Sequence, residues 1–146
     1  MKRRVETGLL LALLLCAVAA WAQYQYPNMA SVQKVYIDKL GNSDDAERFR
    51  FQAARALGTV GFTPWDTADG ADTIMKGTFT YTNWGEKTGA QANVQLISTR
   101  DNKEVWALSV ADPKIDSKHN SSQWVADELA KRLKKEKDDE IKRMKK

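Results

Sequence analysis

Cysteine is almost absent from this 146-residue chain. The single one, Cys16, lies inside an apolar stretch close to the amino terminus, and no other thiol follows it. Beyond that stretch the chain can form no disulfide, offers no cysteine nucleophile and has no thiolate ligand for a metal. Its stability must therefore come from a packed core, for which the remaining length is sufficient.

Histidine is equally scarce, since His119 is the only one. Asp116 and Ser121 lie close to it in sequence, whereas a catalytic triad needs groups that converge from separate elements. The aspartates of residues 66–72 are spaced by three, and a calcium-binding loop requires acids two apart followed by a distant glutamate. We therefore expect no catalytic residue, no metal site and no cofactor, and we predict that the protein is not an enzyme.

The first 22 residues carry the features of a secretory signal peptide. A basic head at residues 2–4 precedes the apolar stretch 9–20, and a small-x-small sequence ends at Ala22. Cleavage after Ala22 would place the mature protein in the periplasm or outside the cell. A lipoprotein signal ending at Cys16 is disfavoured, because the bulky Leu15 stands where such signals have a small residue.

Charge is distributed unevenly along the chain. Residues 131–146 contain nine Lys or Arg and four acidic residues, whereas residues 23–130 contain eleven basic and fourteen acidic ones. The basic isoelectric point thus describes the two ends of the chain, and we expect no nucleic-acid partner for the body. Because of the same excess of positive charge, we expect that residues 134–146 can make peripheral contact with an anionic membrane.

Hydrophobic periodicity predicts one domain at residues 23–133. Alternation at Val35 and Ile37 predicts a strand over residues 32–40. Asn42 or Asp44 can then cap a helix that ends near Leu57, and a short strand over residues 62–65 follows.

Three further strands are predicted, each with one apolar and one polar face. Met75 and Phe79 mark the apolar face of the first, and Trp106 is expected in the core on the third. Asn120 with Gln123 caps a second helix. We expect this helix to leave the core near Leu133 and to continue as a solvated, charged extension over residues 134–146.

The predicted order is therefore β-α-β-β-β-β-α. Two helices can cover one face of a mostly antiparallel sheet of about five strands, which gives a two-layer α/β sandwich of the α+β class.

Short segments in this order resemble small accessory domains of bacterial envelope proteins. The segments are Val35-Tyr36-Ile37, the turn at residues 58–62, residues 71–77 and Glu104-Val105-Trp106. The domains they resemble are of the curli-secretion, TolB amino-terminal and penicillin-binding-protein-activator type. The resemblance implies a non-enzymatic protein whose partner is another envelope component, either a protein or a cell-wall polymer.

Candidate partner-binding residues lie on the polar face of the central strands and at the tip of their hairpin. An exposed Trp84 in the hairpin could stack on a sugar or on a protein. The polar face is long and nearly uncharged, and consists of Thr78, Thr80, Thr82, Gln91, Asn93 and Gln95. Its simplest interpretation is an ordinary solvated sheet face, and the functional one is a docking surface. The alternative function is a small hydrolase or glycan-binding module.

Overall fold

The computed structural model describes residues 28–84, 87–113 and 120–146, with the side chains of residues 82–84 and 87–88 outside that description. A 3-10 turn at Met29–Ser31 precedes the sheet. The elements that follow are β1 (Lys34–Ile37), α1 (Asp44–Thr59), β2 (Thr63–Trp65), β3 (Thr73–Trp84), β4 (Lys87–Ser98), β5 (Glu104–Ala111) and α2 (Ser121–Met144). This is the predicted order of strands and helices.

The five strands form one open sheet in the spatial order β2-β1-β3-β4-β5. Strand β1 pairs in parallel with β2 and β3, while the long pairings of β3 with β4 and of β4 with β5 are antiparallel. Met75 lies opposite Leu96, which in turn lies opposite Trp106. The predicted α+β class with a mostly antiparallel sheet is therefore confirmed.

The hydrophobic core lies between one face of the sheet and the two helices. Alternate residues of β1, β3, β4 and β5 point into it, because side chains along a strand alternate between the two faces. The fully buried residues with large side chains include Phe49, Leu57, Met75, Leu96, Leu129 and Leu133. Each helix buries one apolar face, which includes Phe49, Ala53 and Leu57 on α1 and Val125, Leu129 and Leu133 on α2.

Side chains cap both helices at their amino termini. Asn120 accepts a hydrogen bond from the Gln123 amide at 3.1 Å, as predicted. The cap of α1 is Ser43, whose Oγ accepts from the Ala46 amide at 3.1 Å, so the prediction of Asn42 or Asp44 is wrong by one residue. Ser43 has extended backbone angles and Asp44 is the first helical residue, which leaves the capping position to Ser43.

Three other predictions need correction. The first strand is shorter than residues 32–40, because Val32 closes the 3-10 turn. Trp106 is only half-buried, since it lies on β5, which has a neighbouring strand on one side only among the described residues. The continuation of α2 beyond Leu133 is not fully solvated: Lys137 Nζ donates to the Val32 carbonyl at 2.6 Å and to Gln33 Oε1 at 3.0 Å.

Candidate functional site

The face of the sheet opposite the helices is its open face. Both helices pack on the side that carries Met75, Phe79 and Leu96, so the intervening residues of β3, β4 and β5 project the other way. Within the described residues, neither helix covers this surface.

Five of the predicted site residues come together on the open face. Thr78 lies opposite Asn93, Thr80 opposite Gln91, and Gln95 beside Lys76. Ser109 of β5 extends the array, because its Oγ donates to Asn93 Oδ1 at 2.6 Å. The arrangement is a polar field of amides and hydroxyls that can donate and accept hydrogen bonds.

The remaining two predicted residues, Thr82 and Trp84, are near the turn end of β3. The backbone pairs Thr82 with Gly89 and Trp84 with Lys87. Their side chains are outside the described part of the chain, so a stacking role for Trp84 stays a prediction.

Sequence reasoning missed a row of apolar side chains that crosses the open face. The parallel register places Trp65 beside Tyr36, and Tyr36 beside Ile74. Ile74 in turn faces Ile97 on β4. Trp65 is 37% exposed and the other three are half-buried, so a partner could still cover apolar surface here. The sequence did contain a signal for this row, because β1, β3 and β4 each carry apolar residues on both faces and not on the core face alone.

Trp65 is held in place at the end of this row. Its indole Nε1 donates to the Asp69 carbonyl at 3.2 Å, and Lys34 Nζ lies 4.2 Å from the ring centroid. The aspartate-containing turn thus orients an aromatic ring, which accords with a structural role for its polar residues.

A cavity of about 470 Å³ lies where β1 ends and α1 begins. Arg50 and Glu47 form an ion pair on its wall, with the guanidinium nitrogen 2.6 Å from the carboxylate oxygen. The hydrogen bond from Arg50 lowers the pKa of Glu47, and the same bond raises the pKa of Arg50. Both groups are thus held in their charged forms, whereas a general acid needs a carboxyl that stays protonated.

The basic end of α2 is extensively paired within the helix. Lys134 contacts Asp138 at 2.5 Å, Lys142 lies 3.7 Å from Asp139, and Arg143 binds Glu136 at 2.8 Å. These pairs neutralise part of the excess positive charge counted from the sequence. In the described ranges, no helix is long and apolar enough to cross a membrane, and no three potential metal ligands cluster.

Comparisons with known proteins identify the fold. No family model and no curated protein matches the chain. A dodecameric single-substitution variant of PelC from Paraburkholderia phytofirmans superposes with a TM-score of 0.59 at 18% identity, covering 74% of this chain and 88% of PelC. The PelC dodecamer in a second crystal form gives 0.55 at 15% identity, covering 72% and 86%. Lipoprotein GNA1162 from Neisseria meningitidis gives 0.46 at 13% identity, covering 70% and 94%.

The two PelC structures are solved structures of a bacterial protein, and at such identities their likeness shows the fold alone. The three types of accessory domain named from the sequence are not confirmed by them.

Proposed function

We propose that this chain is an exported, non-enzymatic protein of the bacterial envelope that binds another envelope component through the open face of its sheet. The observation that carries the proposal is the uncovered apolar row Trp65, Tyr36, Ile74 and Ile97, which adjoins a nearly uncharged polar field. Interfaces combine apolar and aromatic anchors with a polar surround in this way. The partner is a protein or a cell-wall polymer.

The dodecameric state of PelC supports the same class of function. PelC has this fold and assembles from twelve chains, so the fold is able to present association surfaces. The paired charges around Glu47 and Arg50 give no support to acid-base catalysis at the cavity beside α1. Binding therefore fits the surface features better than hydrolysis does.

The basic end of α2 is the second candidate contact in this proposal. Its exposed Lys142 and Arg143 already have acidic neighbours, so we expect it to add weak, salt-sensitive attraction to anionic surfaces. Binding of anionic vesicles by the mature protein, with and without residues 134–146, measures that contribution. Equal binding by both forms would remove the tail from the proposal.

Affinity capture from an envelope fraction tests the role of the open face. The bait is residues 23–146, compared with a variant carrying Thr78→Arg and Gln95→Arg, two exposed positions on that face. Phe51→Arg is the matched control, because Phe51 is 62% exposed on α1 in the opposite layer. We expect the face variant to lose the captured component by about tenfold or more and the control to retain it. If only the Phe51→Arg variant lost the captured component, the binding surface would be on the helices and not on the open face.

A further inference from the structure

The two edges of the sheet differ in whether another strand can be added. At the β2 edge the Thr63 amide donates inward to the Gln33 carbonyl at 2.9 Å, so the neighbouring Pro64 faces outward. Proline has no amide hydrogen to offer, and β2 is only three residues long. This edge is closed to further pairing.

Strand β5 forms the other edge, and it is eight residues long. The Asp112 amide donates to the Ala90 carbonyl at 3.0 Å, which fixes the phase of the ladder. Because inward and outward hydrogen bonding alternates along an antiparallel strand, the amides and carbonyls of Ala107, Ser109 and Ala111 point away from β4. In the part of the chain that the structure describes, no strand lies beyond them.

The outward positions of β5 lack the features that protect exposed edges. Residues 105–111 contain no charged residue and no proline, and Ala107, Ser109 and Ala111 are all small and exposed. Natural edge strands usually carry a lysine, a proline or a bulge to prevent pairing. The single irregularity lies at the Leu96/Ile97 end, which leaves the ladder from Trp106 onward regular.

The core-facing side of the same strand is incompletely covered. Trp106 and Leu108 are half-buried, while their neighbours Leu96 and Val94 on β4 are 0% and 3% exposed. A strand added beyond β5 would cover Leu108 if it brought apolar side chains to that face and small ones to the other. Strand β5 has this pattern itself, so it is complementary to a second copy of itself.

We propose that two copies of this chain pair antiparallel through β5, with the two-fold axis at Ser109. This register pairs Ala107 of each copy with Ala111 of the other and uses all three outward positions. Leu108 then lies beside Val110 of the second copy on the core-facing side. A register centred closer to Glu104 would place the irregular part of β5 in the new strand pair. A register centred beyond Ala111 would place Pro113 in it.

The dimer goes beyond the proposed function and enlarges its surface. The two-fold axis of an antiparallel strand pair is perpendicular to the sheet, so both open faces lie on the same side. One continuous sheet of two five-stranded halves would present two apolar rows and two polar fields to the same partner. A repetitive partner would be bound more tightly through avidity.

A disulfide cross-link at Ser109 tests the register directly. Mature protein carrying Ser109→Cys would have no other cysteine. Directly opposed residues of a hydrogen-bonded pair lie about 5.5 Å apart at Cα, within the range that a disulfide spans. We expect rapid conversion to a covalent dimer under mild oxidation. Thr80→Cys, exposed on the open face but away from the edge, should cross-link about tenfold or more slowly; equal rates, or a monomeric Ser109→Cys, would overturn the proposal.

Sedimentation of the protein without cysteine gives an independent measurement. Ser109→Pro removes an outward amide and leaves the backbone bonds to β4 in place, so it should raise the dimer dissociation constant by about tenfold or more. Ser109→Ala should leave the dimer intact. A monomeric wild-type protein, or an assembly unaffected by Ser109→Pro, would contradict pairing through β5. Capture by the Ser109→Pro monomer is compared with capture by Ser109→Ala, which also lacks the hydroxyl on the open face but keeps the edge amide. Loss of capture by the proline variant alone reports on the dimer and loss by both reports on the open face, so failure of the dimer and failure of the proposed function are distinguishable.

Discussion

The ring of Phe49 lies flat on the ring of Phe79, with centroids 4.2 Å apart and planes inclined by 9°. Phe49 projects from α1 and Phe79 from β3, so this stack fixes the first helix on the centre of the sheet. Tyr81 meets Phe79 edge-on at 5.1 Å. Phe49 and Phe79 belong to the core and Tyr81 packs against it, so the three rings form one aromatic cluster between the first half of α1 and β3.

Replacing Phe79 with alanine should therefore be costly. We expect Phe79→Ala to lower the free energy of unfolding by about 3–5 kcal/mol, as for other buried phenylalanines. Phe51→Ala, at an exposed position of α1, should change it by less than about 0.5 kcal/mol. Denaturant unfolding of both variants provides the measurement. Equal costs would show that the stack does not anchor α1.

Gly77 is required by the close approach of β3 and β4. A Cβ atom there would lie 1.9 Å from the Asn93 carbonyl oxygen and 2.8 Å from the Val94 Cα. Its φ of 154° also disfavours other residues. We expect Gly77→Ala to destabilise the fold by more than about 3 kcal/mol.

Gly61→Ala is the matched control for Gly77→Ala. Its φ of 95° is also positive, but an added Cβ would meet no atom within 4 Å. Only the preference of alanine against a positive φ should therefore destabilise the Gly61→Ala variant, by about 1–2 kcal/mol. If thermal or denaturant unfolding gave both variants the same cost, the contact with Asn93 would not be the cause.

Trp106 should contribute less than a fully buried tryptophan. Because it is half-buried on β5, we expect Trp106→Ala to cost about 1–3 kcal/mol instead of the roughly 3–5 kcal/mol typical of a core tryptophan. Leu96→Ala, at the fully buried position opposite, should cost about 2–5 kcal/mol. Denaturant unfolding at low protein concentration measures the free-energy cost of both substitutions. A cost for Trp106→Ala above about 4 kcal/mol would mean that something covers this ring in solution.

Local periodicity was sufficient to predict the elements and their core faces. Alternation placed Met75 and Phe79 together, and Leu133, where the second helix was expected to leave the core, is the last buried residue of α2. Thr78 and Asn93 were predicted on one face because consecutive antiparallel strands pair directly. Each of these features depends on residues close together in the chain.

Features that depend on non-local neighbours could not be predicted in this way. The apolar row exists because β1 lies between β2 and β3, an order that no single strand encodes. The buried Ser121 Oγ, which accepts from the Ala90 amide at 2.9 Å and donates to Asp112 Oδ2 at 2.6 Å, depends on where α2 meets β4. Trp106 was predicted as core because alternation gives the face of a strand but not its distance from the sheet edge.

Export is a separate prediction from the sequence. The basic head, the apolar stretch and the small-x-small sequence should direct cleavage after Ala22. Intact mass of protein recovered from the periplasm or medium should correspond to residues 23–146. Ala22→Arg should block processing, and Gln25→Arg, downstream of the cleavage position, should leave it unchanged. A lipid-modified species beginning at Cys16 would contradict this prediction.

Lys137 connects the end of α2 to the start of β1. Its Nζ binds the Val32 carbonyl and Gln33 Oε1, and it lies 5.1 Å from the Phe62 ring centroid. Removing residues 134–146 deletes all three contacts, so truncation after Leu133 should lower the free energy of unfolding by about 1–3 kcal/mol. Lys137→Gln should account for much of that loss. Lys135→Gln, an exposed position on the same helix, should cost less than about 0.5 kcal/mol.

Alkaline pH gives Lys137 a further signature. Burial, followed by the charge of Lys134, lowers the pKa of Lys137 from its usual 10.5. Between the lowered pKa and 10.5 the unfolded chain binds the proton more readily than the folded one does, so folded protein gains stability as pH rises through this interval. The stability difference between wild type and Lys137→Gln should therefore grow towards pH 10.5 and shrink as pH falls through the lowered pKa. Unfolding measured at a series of alkaline pH values tests this, and a difference that declines with rising pH would mean that contacts with the charged ammonium outweigh its burial.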